Sequence, residues 1–284
     1  MKETIKNIAN IFDLIKNYFP SLYGGFKNSS LFNNIETYCM FIGYPRSGHS
    51  LIGALLDAHP NVIIAHELGT LKYILAKYSK KQIFYLLLNN SQFYAKHNKA
   101  KGGYLNIVPR QWNGKHKILK VIGDKHGEGA VLRLRKRPWL LSQLRKTVRT
   151  RLRFIHIIRN PYDTISTIYK KAQIRNLNSN LKECIEYYFS LCEIVASIKK
   201  QVEKADIFEL RHELLIDNPI DSLKTLCQFL GVEPYEDYLK DCAKIVYKTP
   251  HKSRFDIDWN SELIDMVQNS INEFSFLNGY SYES

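Results

Sequence analysis

Short apolar runs alternate along this chain with longer segments in which apolar residues recur every three or four positions. The runs at residues 38–43, 61–65, 117–122, 153–158 and 206–210 read as strands. Several are almost continuously apolar, as expected of strands covered on both faces. The periodic segments at residues 48–58, 68–89, 128–150, 161–175, 181–204, 219–230, 235–247 and 261–274 read as helices. Strands alternating with helices predict a three-layer α/β fold with a mostly parallel central sheet. Ligands bind such sheets at the carboxyl ends of the strands. Ahead of the first strand, Ile5, Ile8, Phe12, Ile15 and Phe19 form one apolar stripe on a helix. That stripe either docks onto the main body or lies on a membrane surface. A turn-rich connector at residues 20–30 follows, so the chain divides into an N-terminal helix and connector, 1–36, and a domain, 37–284.

The 284 residues fit one domain with embellishments. No apolar stretch reaches the ~18 residues that span a bilayer, and no continuous apolar leader is visible. A cytoplasmic protein is the expectation. The five cysteines, Cys39, Cys184, Cys192, Cys227 and Cys242, include no C-x-x-C and read as lone buried thiols. The net charge is +14, and residues 133–153 carry +9 of it without an acidic residue. Such a run is either a solvated helix face or a patch for an anionic partner, an acidic acceptor or an anionic lipid surface. Nucleic acid fits less well, because no aromatics alternate with the basic residues.

The sequence Gly43-Tyr44-Pro45-Arg46-Ser47-Gly48-His49-Ser50 joins the first strand to the first following helix. Its spacing is that of a phosphate-binding P-loop, but His49 stands in place of the lysine and Arg46 lies inside the loop. A turn of this kind presents backbone N–H groups and a helix N-terminus to an anion. The other strand ends carry His66 and Glu67; Asp124, Lys125 and His126; Arg159 and Asn160; and Arg211, His212 and Glu213. Asn160 and Pro161 suit a helix start, with Asp163 and Thr167 one turn apart behind Arg159. An arginine and a hydroxyl beside a helix start make a second anion site. A P-loop kinase is a rival reading, weakened by the missing lysine; Asp124 is its one candidate magnesium ligand. No metal-binding motif is present.

The loop at Gly43 and the segment Arg159-Asn-Pro-Tyr-Asp-Thr-Ile-Ser-Thr together resemble the sulfotransferase family. Leu210-Arg-His-Glu-Leu-Leu-Ile-Asp-Asn-Pro and Phe229-Leu-Gly-Val resemble a further family stretch, and the likeness runs in order from about Tyr38 to Tyr280. The resemblance implies 3′-phosphoadenosine-5′-phosphosulfate (PAPS) as co-substrate, without a metal. Tyr44, Pro45, Arg46, Ser47, Gly48, His49 and Ser50 would then cradle the 5′-phosphosulfate. Arg159 with Ser166 or Thr167 would hold the 3′-phosphate, and Ser253 would touch the nucleotide. Leu55-Leu-Asp-Ala-His-Pro and Ala65-His-Glu are similar to the tyrosylprotein and carbohydrate-type branch, in which the residue at Glu67 is the general base and Lys125 faces the sulfuryl group. His126 and His66 are rival bases. The departures are His49 for threonine, Thr167 for serine, and His212 and Leu214 for tyrosine and aspartate. The acceptor would carry a hydroxyl or amine, on a glycan, peptide, lipid or small molecule. A catalytically silent binder of acidic glycan or lipid is the alternative from another class.

Overall fold

The computed structural model describes residues 2–97 and 107–284, with side chains from residue 11 onward. Its sheet has five parallel strands: β1 (Thr37–Ile42), β2 (Val62–His66), β3 (Val121–Lys125), β4 (Arg151–Ile158) and β5 (Ile207–Arg211). The spatial order is β2-β3-β1-β4-β5, as the alternation predicts for a mostly parallel sheet. β1 is central and buried along its whole length. Tyr38, Met40 and Ile42 pack into one apolar layer, Cys39 and Phe41 into the other, following the period of two. All five cysteines are buried free thiols.

From β1 the chain moves outward through α3 (His49–Asp57) to β2, then returns to β3; from β4 it moves to the opposite edge. The loops after β1 and β4 therefore diverge, and a crevice opens between them. The remaining helices are α1 (Lys2–Lys27), α2 (Ser29–Phe32), α4 (Thr70–Leu75), α5 (Lys80–His97), α6 (Gly127–Lys136), α7 (Leu140–Val148), α8 (Pro161–Ile174), α9 (Leu181–Lys199), α10 (His212–Asp217), α11 (Pro219–Leu230), α12 (Glu236–Ile245) and α13 (Ser261–Ile271).

Four expectations need correction. The third strand lies at Val121–Lys125 rather than 117–122, so Asp124 and Lys125 end the strand instead of following it. The segment 68–89 is two helices, parted where Lys77 takes φ 59°. The segment 128–150 is also two, because Pro138 drives Arg137 out of the helical region. Pro20 does not end the first helix, which continues to Lys27 before α2. Its second half is held by close packing on α5, made possible by Gly24 and Gly25. A Cβ on Gly24 would stand 2.2 Å from the Tyr85 ring, and one on Gly25 2.8 Å from the Lys81 backbone.

The N-terminal stripe also faces the other way. Ile5 and Ile8 lie outside the described side chains, but Phe12, Ile15 and Phe19 are exposed. α1 docks instead through polar and small residues. Asp13 accepts from Tyr73 Oη (2.8 Å) and pairs with Lys72, Asn17 donates to Tyr73 Oη (3.2 Å), and Ser21 is buried against Gln82. Specific hydrogen bonds to α4 and α5 set the helix rotation, which apolar periodicity alone cannot read.

Candidate active site

The turn after β1 is built by backbone geometry. Gly48, at φ 102°, caps α3, and a Cβ there would fall 2.3 Å from His212 Cδ2. Arg46 adopts φ 68°, a left-handed conformation that costs a non-glycine residue about 1–3 kcal/mol and concentrates at functional sites. The first backbone donors satisfied within α3 are Leu51 and Ile52, both bonded to the Gly48 carbonyl. The N–H groups before them have no acceptor within the helix, which makes a helix start of this kind suited to an anion.

Several loop side chains turn inward. Tyr44 is fully buried, its ring 4.6 Å from Tyr188 and its hydroxyl 3.2 Å from His156 Nε2. Ser47 is buried, its Oγ 3.0 Å from the Tyr44 carbonyl and 3.1 Å from His49 Nδ1. Burial pushes the His49 pKa down to about 3, so its ring is neutral; Nε2–H donates to the Ile42 carbonyl at 3.3 Å. His49 therefore braces the end of the loop against its start. Pro45, Arg46, Gly48 and Ser50 remain on the cleft wall, with the His49 edge among them.

Facing the loop, Lys125 is only 3% exposed and donates to Glu67 Oε1 (3.0 Å) and Ser50 Oγ (3.3 Å). Glu67 is held opposite by its backbone, at φ 54°, and by Asp124. The Asp124 carboxylate accepts from the N–H groups of Leu68 (3.1 Å), Gly69 and Thr70 (both 2.8 Å) and from Thr70 Oγ1 (3.0 Å). Those four donors surround the one aspartate that a kinase reading would assign to magnesium. A catalytic glutamate is expected to have a raised pKa, and here the opposite holds. Burial pushes the Glu67 carboxyl up, but the Lys125 charge and hydrogen bond, with His66 and His126, bring it net below its ordinary 4.5. Lys125 is lowered from 10.5, mainly by burial. His126 lines the same wall and is lowered by burial.

Arg159 forms the second pole. Its guanidinium donates to the carbonyl of Arg46 (3.3 Å), the carbonyl of His251 (2.5 Å) and Ser253 Oγ (3.2 Å). All three acceptors are neutral; the carboxylates of Asp163 and Glu213 act on this nine-tenths-buried cation from further off. Thr167 lines the cleft, whereas Ser166 is fully buried and accepts from Trp259 Nε1 (3.2 Å). Asn160 Oδ1 caps α8 by accepting from Tyr162 N–H. Glu213 accepts from Asn160 N–H (2.9 Å) and the Tyr280 hydroxyl (2.7 Å), fixing the turn. Ser253 is kept in place by Arg254, which is buried and paired with Asp163 at 2.8 Å.

Together these residues wall an open cleft of about 720 Å³. Arg175, Tyr247 and His251 also line it and were not anticipated. Arg175 follows Thr167 by eight positions and caps the C-terminus of α8. Tyr247 and His251 lie in an irregular stretch that carries no motif. Beyond Ser50 and Lys125 lies a second, narrow recess with about 30 Å³ of free space, walled by Gly53, Ala54, Ile64, Tyr94 and Ile107. Asp57 stands at its edge. It accepts from Ile64 N–H (2.8 Å) and Ser91 Oγ (2.7 Å), and burial pushes its pKa up to about 7.

A parallel sheet with a phosphate-type loop at its switch point, and a second cationic pole across the same crevice, is an α/β arrangement with two places suited to anions. The chain belongs to the sulfotransferase family, whose sequence model matches residues 40–237. It is 26% identical over 207 residues to protein-tyrosine sulfotransferase 2 of Gallus gallus, covering 69% of this chain and 52% of that protein. It is 28% identical over 221 residues to protein-tyrosine sulfotransferase 1 of Danio rerio, covering 76% and 59%. The chain thus spans about half the length of the curated relatives it matches. Its fold is similar to that of the sulfotransferase domain from the curacin biosynthetic pathway, with TM-score 0.54 at 16% identity over 84% of this chain and 98% of that one.

Proposed function

We propose that the protein transfers a sulfuryl group from PAPS to an acceptor hydroxyl. The observation that carries this reading is the joining of the two cationic poles. Arg159 donates directly to the backbone of Arg46, so a 3′-phosphate at one and a 5′-phosphosulfate at the other are held at a fixed spacing. The acceptor O–H proton passes to Glu67 as the new oxygen–sulfur bond forms. The bond from sulfur to the 5′-phosphate oxygen breaks, leaving adenosine 3′,5′-bisphosphate (PAP). Catalysis of such a transfer is positioning plus electrostatics. Arg46, the loop N–H groups and Lys125 face the charge that grows on the leaving group.

Calorimetry with PAP, AMP and ATP tests the reading. PAP is expected to bind without magnesium and more tightly than AMP. Arg159→Ala should weaken PAP by about 1.5–3 kcal/mol, the scale of a charged hydrogen bond, and leave AMP nearly unchanged. Equal loss for both nucleotides would remove the 3′-phosphate from Arg159, and a strict requirement for magnesium and ATP would favour the kinase.

We also propose that the acceptor enters through the recess beyond Ser50 and Lys125. Its largely apolar walls beside Lys125 suit an apolar group next to the acceptor hydroxyl. The tyrosine named in the vertebrate relatives fits that class. Ala54→Phe fills the recess and should raise the acceptor KM by about tenfold or more while PAP binding stays intact. An unchanged KM in initial-rate measurements would place the acceptor elsewhere.

A further inference from the structure

The exposed side of α1 is apolar in a way that its docking does not explain. Ile11, Phe12, Ile15, Phe19, Leu22, Tyr23 and Phe26 are each between 49% and 79% exposed. At 3.6 residues per turn they fall within an arc of about 120°. The docked residues Asp13, Leu14, Asn17, Ser21, Gly24 and Gly25 occupy the opposite side. Scattered exposed apolar residues are ordinary, but a continuous stripe of four aromatics and three aliphatics over four turns marks an interaction surface.

The charge around the stripe distinguishes its occupant. Of the 41 lysines and arginines, 27 precede Asp163, against 7 of the 27 acidic residues, so the first 162 residues carry +20 and the rest −6. Lys16 and Lys27 flank the stripe and are exposed. α4, α5 and the turn between them, against which α1 packs, contain Lys72, Lys77, Lys80 and Lys81 and no acidic residue. α7 packs on α4 and contributes exposed Arg145 and Lys146, with Arg149 just past its end. Arg149 lies close enough to Lys80 to lower its pKa further than burial does alone. The one acidic side chain on the described part of α1, Asp13, is turned inward and tied to Lys72. A second copy of this chain would bring the same positive surface against itself.

We infer that α1 lies in the plane of an anionic lipid surface, with its aromatic stripe among the acyl chains and the neighbouring lysines and arginines at the headgroups. Aromatic and aliphatic residues on one face with lysines at the margin is the composition of an interfacial helix. Among the described residues no helix is long and apolar enough to cross a membrane, so the contact is peripheral. This inference is independent of the sulfuryl-transfer reading.

Co-sedimentation of the full chain with vesicles tests it. Strong binding is expected to phosphatidylcholine vesicles containing phosphatidylglycerol, falling with added salt, and at least about tenfold weaker binding to phosphatidylcholine alone. The triple substitution Phe12→Ser, Phe19→Ser, Phe26→Ser should weaken anionic-vesicle binding by about a hundredfold or more, since each ring contributes separately. These residues are exposed, and unchanged PAP affinity and near-ultraviolet dichroism would show that the fold is kept. A separate variant, Arg145→Gln with Lys146→Gln and Arg149→Gln, should lose most of the salt sensitivity. Absence of binding to anionic vesicles, or binding untouched by the triple substitution, overturns the inference. So does a wild-type dimer in light scattering that the triple substitution converts to monomer.

Discussion

Replacing Glu67 with glutamine is expected to cut turnover by about 10²–10⁴-fold, the scale of a lost general base, and to leave PAP affinity nearly intact. Glutamine keeps the shape of the side chain and its contact with Lys125, but it cannot take the acceptor proton. The geometry adds a condition that the sequence alone does not supply. In the free cleft Lys125 holds Glu67 ionised below its ordinary 4.5, which makes it a weak base. An anionic sulfuryl group competes for the Lys125 ammonium. Once Lys125 turns to it, the largest influence left on Glu67 is burial, which raises its pKa. The acid limb of kcat/KM, which reports the free enzyme, should therefore lie below pH 4.5, and that of kcat should lie at higher pH. Turnover unchanged in Glu67→Gln would pass the role to His126 or to Asp57. An acid limb near 7 in both wild type and Glu67→Gln would single out Asp57, whose pKa burial pushes up to about 7.

The parallel sheet and the two cationic poles were legible because each is written locally. A buried strand is a continuous apolar run, and the loop at Gly43 and the helix start at Asn160 are short motifs at strand ends. Tertiary contacts carry the rest. Nothing local says that Ser47 and His49 brace each other, that Ser166 is covered by Trp259, or that Arg254 reaches Asp163, 91 residues away. The third strand was misplaced because 117–122 and Val121–Lys125 are both strand-like. The hydrogen-bonded pairing of Val62 with Val121 and His66 with Lys125 decides the register, and it is set by β2. The same pairing puts Lys125 beside the residue preceding Glu67, which is how two residues 58 positions apart come into contact. The N-terminal stripe shows the limit of periodicity. Amphipathic spacing identifies a helix, but the buried side was chosen by Asp13, Asn17 and two glycines.

Lys125→Met should be the more informative partner experiment, because it changes the pH dependence as well as the rate. Removing a buried cation from the point where leaving-group charge develops is expected to lower turnover by about 10²–10³-fold. It also removes the largest influence that lowers the Glu67 pKa, so burial is opposed only by His66 and His126 and the pKa rises. Residual activity should then show its acid limb at higher pH than the wild type in kcat/KM, while the acid limb of the reduced kcat stays nearly in place, because Lys125 is already engaged elsewhere there. Stability gives an independent reading of the same pair. A carboxyl whose folded pKa is depressed stabilises the fold above its unfolded value and loses that contribution as pH falls through the folded value. Wild-type protein should lose this increment below about pH 4.5, a loss tempered by solvent at the partly exposed Glu67, and Lys125→Met should lack it. Chemical denaturation at a series of pH values measures the difference. Parallel stability curves for the two proteins, together with coincident acid limbs, would mean that Lys125 does not hold Glu67 in solution and that the base is tuned by another group.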